Sequence, residues 1–163
     1  MRKEAFAPIV DGQTQVLILG SLPGDVSLAA ARYYAHPRNR FWHLVGEIVA
    51  LPCLPELDYD ERLAVLLTNG IGLWDTVESA ERSGSLDSAI LNAQPAALVE
   101  LVQSLPQLRA IAFNGKTSGK IGRLLLGDCG LALIDLPSSS PAHAAMPYDQ
   151  KRQAWLHLRQ FLA

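Results

Sequence analysis

The apolar residues of this chain fall into short continuous runs separated by stripes at helical spacing. Gln15 to Leu19 (Gln-Val-Leu-Ile-Leu) is such a run, and it ends at Gly20. A short apolar run closed by glycine predicts a strand buried on both faces, the pattern of a parallel sheet. Arg109 to Phe113 and Leu131 to Leu136 repeat it, and Ile71 to Trp74 fits it after the Asn69-Gly70 turn signal. Helical patterns lie between these runs. Asp25 or Ser27 is a candidate cap for a helix through Ala29 to Tyr34. Phe41, Leu44, Val45, Ile48 and Val49 share one face of a helix over Phe41–Leu51. Asp58 or Asp60 opens the next helix, through Leu67. Pro95 sits where the first turn of a helix reaching Leu105 begins. Lys116–Leu126 is another helix, and Asp149–Leu162 closes the chain with Trp155, Leu158 and Leu162 as its apolar stripe. Thr76 to Leu91 is polar and serine-rich, and reads as a loop with one short helical piece.

Strands alternating with helices predict an α/β fold, a three-layer sandwich whose central, mainly parallel four-stranded sheet is flanked by helices. At 163 residues the expectation is one domain over positions 1–163. Ligands of such sheets sit beyond the carboxyl ends of the strands. Three small polar loops fall there: Gly20-Ser21-Leu22-Pro23-Gly24, Asn114-Gly115-Lys116 and Pro137-Ser138-Ser139-Ser140-Pro141. Together they predict one cleft.

Composition narrows the classes. Apolar residues make up 49% of the chain and charged residues 18%, which excludes a disordered chain. The net charge of −2 excludes a protein that coats nucleic acid non-specifically, though not an enzyme that touches a few phosphates. Cys53 and Cys129 cannot supply the four thiolates of an iron–sulfur cluster or a cysteine-only zinc site, and their apolar neighbours predict buried free thiols. No metal and no cofactor is expected. No apolar run approaches the ~20 residues of a membrane span. Met1-Arg2-Lys3-Glu4 leads into no signal core, so a cytoplasmic protein without a membrane partner is expected.

Loops of Gly, Ser and Pro present backbone amides that suit phosphate oxygens or a flat polar ligand, though either loop alone reads first as an ordinary strand-to-helix turn. Neither a dinucleotide fingerprint nor a phosphate-loop motif is present, and the serine run lacks a nucleophile elbow. The most informative stretch is His36-Pro37-Arg38-Asn39-Arg40-Phe41-Trp42-His43. An aromatic ring beside a neutral amide is what a pocket for a planar base needs, one to stack and one to hydrogen-bond. The alternative is that Phe41 and Trp42 start the next helix and belong to the core.

Taken in order, these motifs resemble the uracil-DNA glycosylase superfamily, closest to its branch of hypoxanthine (deoxyinosine) and mismatch-specific uracil glycosylases. Gly20-Ser21-Leu22-Pro23-Gly24 is similar to the first superfamily motif. Tyr33-Tyr34-Ala35-His36-Pro37-Arg38-Asn39-Arg40-Phe41-Trp42 resembles that branch's Tyr-Tyr-x-His-Pro-x-Asn-x-Phe-Trp signature. Leu73-Trp74-Asp75 and Asn114-Gly115-Lys116 match further landmarks, and Leu136 to Ala142 matches the second catalytic motif. There are two departures. Leu22 stands where mismatch uracil glycosylases carry a water-orienting Asn and the uracil-specific enzymes an Asp. His143 stands where the branch usually has an Asn after Pro141-Ala142.

The resemblance implies a monofunctional DNA glycosylase that hydrolyses the N-glycosidic bond of a deaminated base, hypoxanthine or uracil, flipped out of single- or double-stranded DNA. It implies Asn39 as the group that orients the attacking water through its carbonyl, with Ser21 beside it. Gly20, Ser21, Leu22, Phe41, Asn69 and Asn114 are the implied base-binding residues: Phe41 stacks, backbone amides near Ser21 meet the base edge, and the two asparagines read it. Pro137, Ser138, Ser139, Ser140 and Lys116 are implied for the flanking phosphates, and His143 or Met146 for the space left in the duplex. A monomer is expected, nucleoid-associated in a prokaryote. The competing reading is a non-catalytic nucleotide- or nucleic-acid-binding protein on the same fold, which Leu22 makes credible.

Overall fold

In the computed structural model, which describes residues 2–163, the four apolar runs become four parallel strands. They are β2 (Val16–Gly20), β3 (Ile71–Asp75), β6 (Ala110–Asn114) and β7 (Ala132–Leu136). Their order across the sheet is β3-β2-β6-β7. Met1 lies outside the described residues. Every residue of β2 and β6 is buried, as continuous apolar runs require when both faces are covered.

Period-two alternation sends the side chains of each strand into two cores. Val16 and Ile18 join Ala110, Ala112, Ile71 and Leu73 on one face. There they pack under α2 (Phe41–Ile48), α3 (Tyr59–Thr68) and α6 (Tyr148–Leu156), which bring Phe41, Leu44, Leu66 and Trp155. Leu17, Leu19, Ile111 and Phe113 pack on the other face under α4 (Leu98–Gln103) and α5 (Lys116–Leu126). The result is the expected three-layer sandwich. The chain leaves β2 toward β3 on one side, and the third strand, β6, returns on the other. The loops after β2 and β6 therefore diverge and leave a crevice at the carboxyl edge.

The segment expected to be a loop over 76–91 is largely strand. β4 (Val77–Glu81) is the centre of a second, antiparallel sheet in the order β1-β4-β5, with β1 (Arg2–Glu4) and β5 (Leu91–Pro95) at its edges. Pro95 ends β5 instead of opening a helix, and α4 starts three residues later. These short polar strands carry no apolar alternation, and β1 reaches β4 from the far N-terminus, so their pairing is a tertiary event.

Several helix bounds also differ. α1 spans Asp25–Ala30, capped by Gly24 with no side-chain bond, and Ala31 stops it at φ 54°. α2 ends at Ile48 because Ala50 takes φ 56° and the Leu51 N–H turns back to the Gly46 carbonyl at 2.8 Å. No glycine marks either stop in the sequence, though left-handed helix ends usually use one. α6 ends at Leu156 and continues to Phe161 as a 3-10 turn. Of the two thiols expected to be buried, Cys53 is exposed and Cys129 half-buried. Cys53 lies in the turn after α2, where Leu54 takes the inward position.

Candidate active site

The loops after β2, β6 and β7 enclose a cavity of about 520 Å³ at the carboxyl edge of the sheet. Gly20, Ser21, Leu22, Asn39, Asn114, Ser138, Ser139, Ser140 and His143 all line it, so most of the residues named from sequence converge there.

The floor is held by a polar clamp. Asn114, at the end of β6, accepts a hydrogen bond from the Ser139 N–H at 2.9 Å and donates one to the Ser139 hydroxyl at 2.9 Å. An amide fixed at both ends has a known orientation. It keeps one N–H and one carbonyl lone pair for a ligand. Ser139 is 1% exposed, so it positions Asn114; the phosphate role expected for it is corrected. Its neighbours differ. The Ser138 hydroxyl accepts from the Ser140 N–H and the Ser140 hydroxyl from the Ala142 N–H, which leaves both O–H groups as donors for an anion. Gly115, at φ 101°, makes the turn out of β6, and a Cβ there would meet the Ser138 Cβ at 3.4 Å.

Phe41 does not reach the cavity. It is fully buried in the core at the first turn of α2, and the base-stacking role expected for it is corrected. Tyr33 and Tyr34 line the cavity, and Tyr34 is the ring stacked on Phe41, with centroids 3.9 Å apart and planes 10° off parallel. Tyr34 holds φ 54°, a left-handed conformation that a bulky residue adopts only when its surroundings impose it. Sequence reasoning found the Tyr-Tyr pair as part of a motif and gave it no role.

Asn39 lines the cavity, but its side-chain oxygen already accepts the Phe41 N–H at 2.9 Å and so starts α2. A backbone N–H must face an acceptor, which settles which end is oxygen. Only the second lone pair of that carbonyl is left to orient a water. His36 also lines the cavity and accepts the Arg38 N–H on Nδ1 at 3.1 Å, so the neutral ring carries its proton on Nε2.

Asn69 sits at the C-terminal end of α3, before β3 and thus at the opposite edge of the sheet, where its amide donates to the Val65 carbonyl. Its expected base contact is corrected. Pro137 is outside the lining, with its carbonyl taken by the Trp155 indole N–H at 2.9 Å. Lys116 is exposed on the first turn of α5 at the same edge, and Met146 is half-buried; neither lines the cavity.

The segment between β4 and β5 supplies a wall that sequence reasoning passed over. Arg82, 3% exposed, donates to the carbonyls of Leu22, Pro23 and Gly84 and so staples the first-motif loop. Asp87 accepts from the Ser21 hydroxyl at 2.5 Å and lies 3.9 Å from Arg82. Leu22 turns its side chain into a small core with Val77 and Ala80 and is 6% exposed.

Asp75, the last residue of β3, also lines the cavity and is 4% exposed. Its Oδ2 and the Tyr34 hydroxyl oxygen are both buried without a hydrogen-bond partner. Burial, helped by the nearby Asp87 charge and opposed by Arg82, pushes the Asp75 carboxyl up to about 7. Burial, helped by the Asp75 charge and opposed by the nearby Asn114 amide, also pushes the Tyr34 hydroxyl well above its ordinary range.

Comparison with known proteins agrees with this geometry. The family model described as "Uracil DNA glycosylase superfamily" matches residues 7–159. A protein of Methanosarcina acetivorans named hypoxanthine DNA glycosylase is 41% identical over 143 residues, which is 88% of this chain and 89% of that protein. One of the same name from Methanosarcina barkeri is 42% identical over 125 residues, 77% of this chain and 78% of its own length. The solution NMR structure of a candidate uracil DNA glycosylase from Methanosarcina acetivorans superposes with a TM-score of 0.88 at 36% identity, covering 99% of both chains. A cleft at the switch point of a parallel sheet, the motifs that line it and a family match spanning nearly the whole chain carry one conclusion: the chain belongs to the uracil DNA glycosylase superfamily.

Proposed function

We propose that this chain is a monofunctional DNA glycosylase that hydrolyses the N-glycosidic bond of hypoxanthine flipped out of DNA. The observation that carries the reading is the pairing, in one cavity, of the Tyr34 ring with the Asn114 amide that Ser139 holds rigid. A planar base needs a stacking platform and an edge reader at right angles to it, and a flipped nucleotide is recognised by both. The hypoxanthine DNA glycosylases of two Methanosarcina species support the choice of base.

Breaking the bond passes through an oxocarbenium-like sugar, as in other glycoside hydrolyses. The site must hold the departing base, shield it from bulk water and place one water behind the sugar. Asn114 meets the base edge with its free N–H and lone pair. The second lone pair of the Asn39 carbonyl accepts a hydrogen bond from the water and aims its oxygen. Ser138 and Ser140 donate to the phosphates flanking the flipped sugar, and His143 lines the cavity with them. Leu22 fills the place of the family's water-orienting residue with a hydrocarbon packed on Val77 and Ala80, so that task moves to Asn39. Among the described residues no lysine lines the cavity, which supports hydrolysis by water over Schiff-base strand cleavage.

The test is release of free base from matched duplexes and single strands carrying one hypoxanthine, uracil or xanthine. The expected outcome is hypoxanthine release with the strand left uncut at the abasic site. A protein that binds these DNAs and releases no base from any of them would establish the non-catalytic alternative.

A further inference from the structure

We propose that Asp75 is the general acid of this site, delivering a proton to N7 of the purine as its glycosidic bond breaks; this rests on the glycosylase reading above. The fold buries the Asp75 carboxyl at a cost in free energy. Asp75 ends β3 opposite Gly20 in the sheet register, at the carboxyl edge where the ligand must sit. Its Oδ2 is buried in the cavity wall and has no hydrogen-bond partner. An unmet buried acceptor costs roughly 1–3 kcal/mol, and native proteins keep one where chemistry uses it. A protonated carboxyl in the same place becomes a donor with nothing in the protein to receive it.

The Tyr34 hydroxyl oxygen stands in the same condition and the same corner. A Cβ built on Gly20 would lie 2.6 Å from Asp75 Oδ1 and 3.0 Å from the Tyr34 oxygen. Both groups therefore crowd over the one residue whose missing side chain gives them room. The ring stacked on Phe41 and the carboxyl at its rim lie against one cavity, so a base lying on Tyr34 brings its edge to Asp75.

Burial is the main reason Asp75 keeps its proton, and the groups facing it add to the effect. Asp87, from the connection before β5, repels its charge, and Arg82, from the end of β4, only partly offsets this. Tyr33 and Tyr34, from the segment between α1 and α2, are pushed further from ionisation by Asp75 itself and add no positive charge. His36 and His143 line the same cavity. The carboxyl is thus neutral through mildly acid conditions and ionises near neutrality, where a general acid works best.

The balance of the step is simple. The C1′–N9 bond breaks and its electron pair stays with the base. The Asp75 proton moves to N7, so hypoxanthine leaves neutral. Water supplies hydroxide to C1′, and its proton returns to the Asp75 carboxylate through solvent.

The experiment is single-turnover release of hypoxanthine, with enzyme saturating the duplex, from pH 5 to pH 9 by wild type and Asp75→Asn. Asparagine keeps the shape and a donor but has no proton to give up. The wild-type rate should be level at low pH and fall about tenfold per unit once Asp75 ionises near 7. Asp75→Asn should lose about 10²–10⁴-fold at low pH and lose that pH dependence. If the variant does not fold, the wild-type profile decides alone. A level wild-type profile, or a folded variant with the wild-type rate and slope, overturns the acid while hypoxanthine release upholds the glycosylase. Release of no base by wild type overturns both.

Discussion

Tyr34 lies flat on Phe41, ring centroids 3.9 Å apart, and the two residues divide a task that a single aromatic was expected to perform. Phe41 is a foundation inside the core, with Trp42 and Trp155 against its edges at 5.0 and 5.8 Å. Tyr34 is the surface that meets the cavity. Substituting each with alanine should therefore produce different defects. Phe41→Ala should cost about 3–5 kcal/mol in unfolding free energy, the cost of truncating a core aromatic. Tyr34→Ala should instead weaken binding to a duplex with a flippable base by about 1–3 kcal/mol relative to undamaged duplex. Equal losses on both duplexes for Tyr34→Ala would remove its platform role.

Asn39 carries two duties, which substitution can separate. Its carbonyl starts α2 by accepting the Phe41 N–H, a bond whose loss at a helix start costs about 1 kcal/mol. Asn39→Ala should show that loss together with a rate loss of about 10²–10³-fold. Asn39→Asp keeps an acceptor for Phe41 and should recover the stability. Thermal melts and single-turnover rates read the two effects independently. A wild-type rate in Asn39→Ala would end the water-orienting assignment.

Leu22→Asn recreates the water-orienting side chain of mismatch uracil glycosylases, and the structure sets the expectation against it. The Leu22 side chain packs on Val77 and Ala80, so an amide there is buried among hydrocarbon. The variant should lose about 2–5 kcal/mol of stability and gain no uracil release. A stable variant that releases uracil and rescues Asn39→Ala would show that the loop can turn that side chain to the water.

Asp75 also gives stability a pH dependence that is independent of catalysis. Its folded-state pKa, about 7, lies above the ordinary carboxyl value of 3.8. The folded state therefore holds the proton more tightly than the unfolded chain. Full stability is present below about 4 and is lost progressively as pH rises to about 7, at roughly 1.4 kcal/mol per unit. Asp75→Asn removes this term, so the melting temperature of the variant relative to wild type should rise between pH 4 and pH 8. A constant difference across that range would mean that burial does not hold the proton on Asp75.

The four parallel strands were legible along the chain because a strand covered on both faces must be apolar throughout, and Val16–Leu19 and Ala110–Phe113 are. The edge of the sheet was legible for a related reason. A strand that ends in Gly20 or Asn114 puts its small polar loop at the carboxyl end, and strand direction follows from the alternation with helices. That is enough to gather Ser21, Asn114 and Ser138 to Ser140 into one cleft. The second sheet was not legible, since β4 and β5 are polar and β1, which pairs with β4, comes from the far N-terminus. With that sheet come Arg82 and Asp87, which brace the first-motif loop from residues that look like surface. Phe41 and Asn69 were misplaced because residue type states what a side chain can do, and only packing decides where it points. Tyr34 and Asp75 depend on packing most of all. A left-handed backbone at Tyr34 and the open space over Gly20 exist only once α2, β2 and β3 are together, because each is imposed by neighbours remote in the chain.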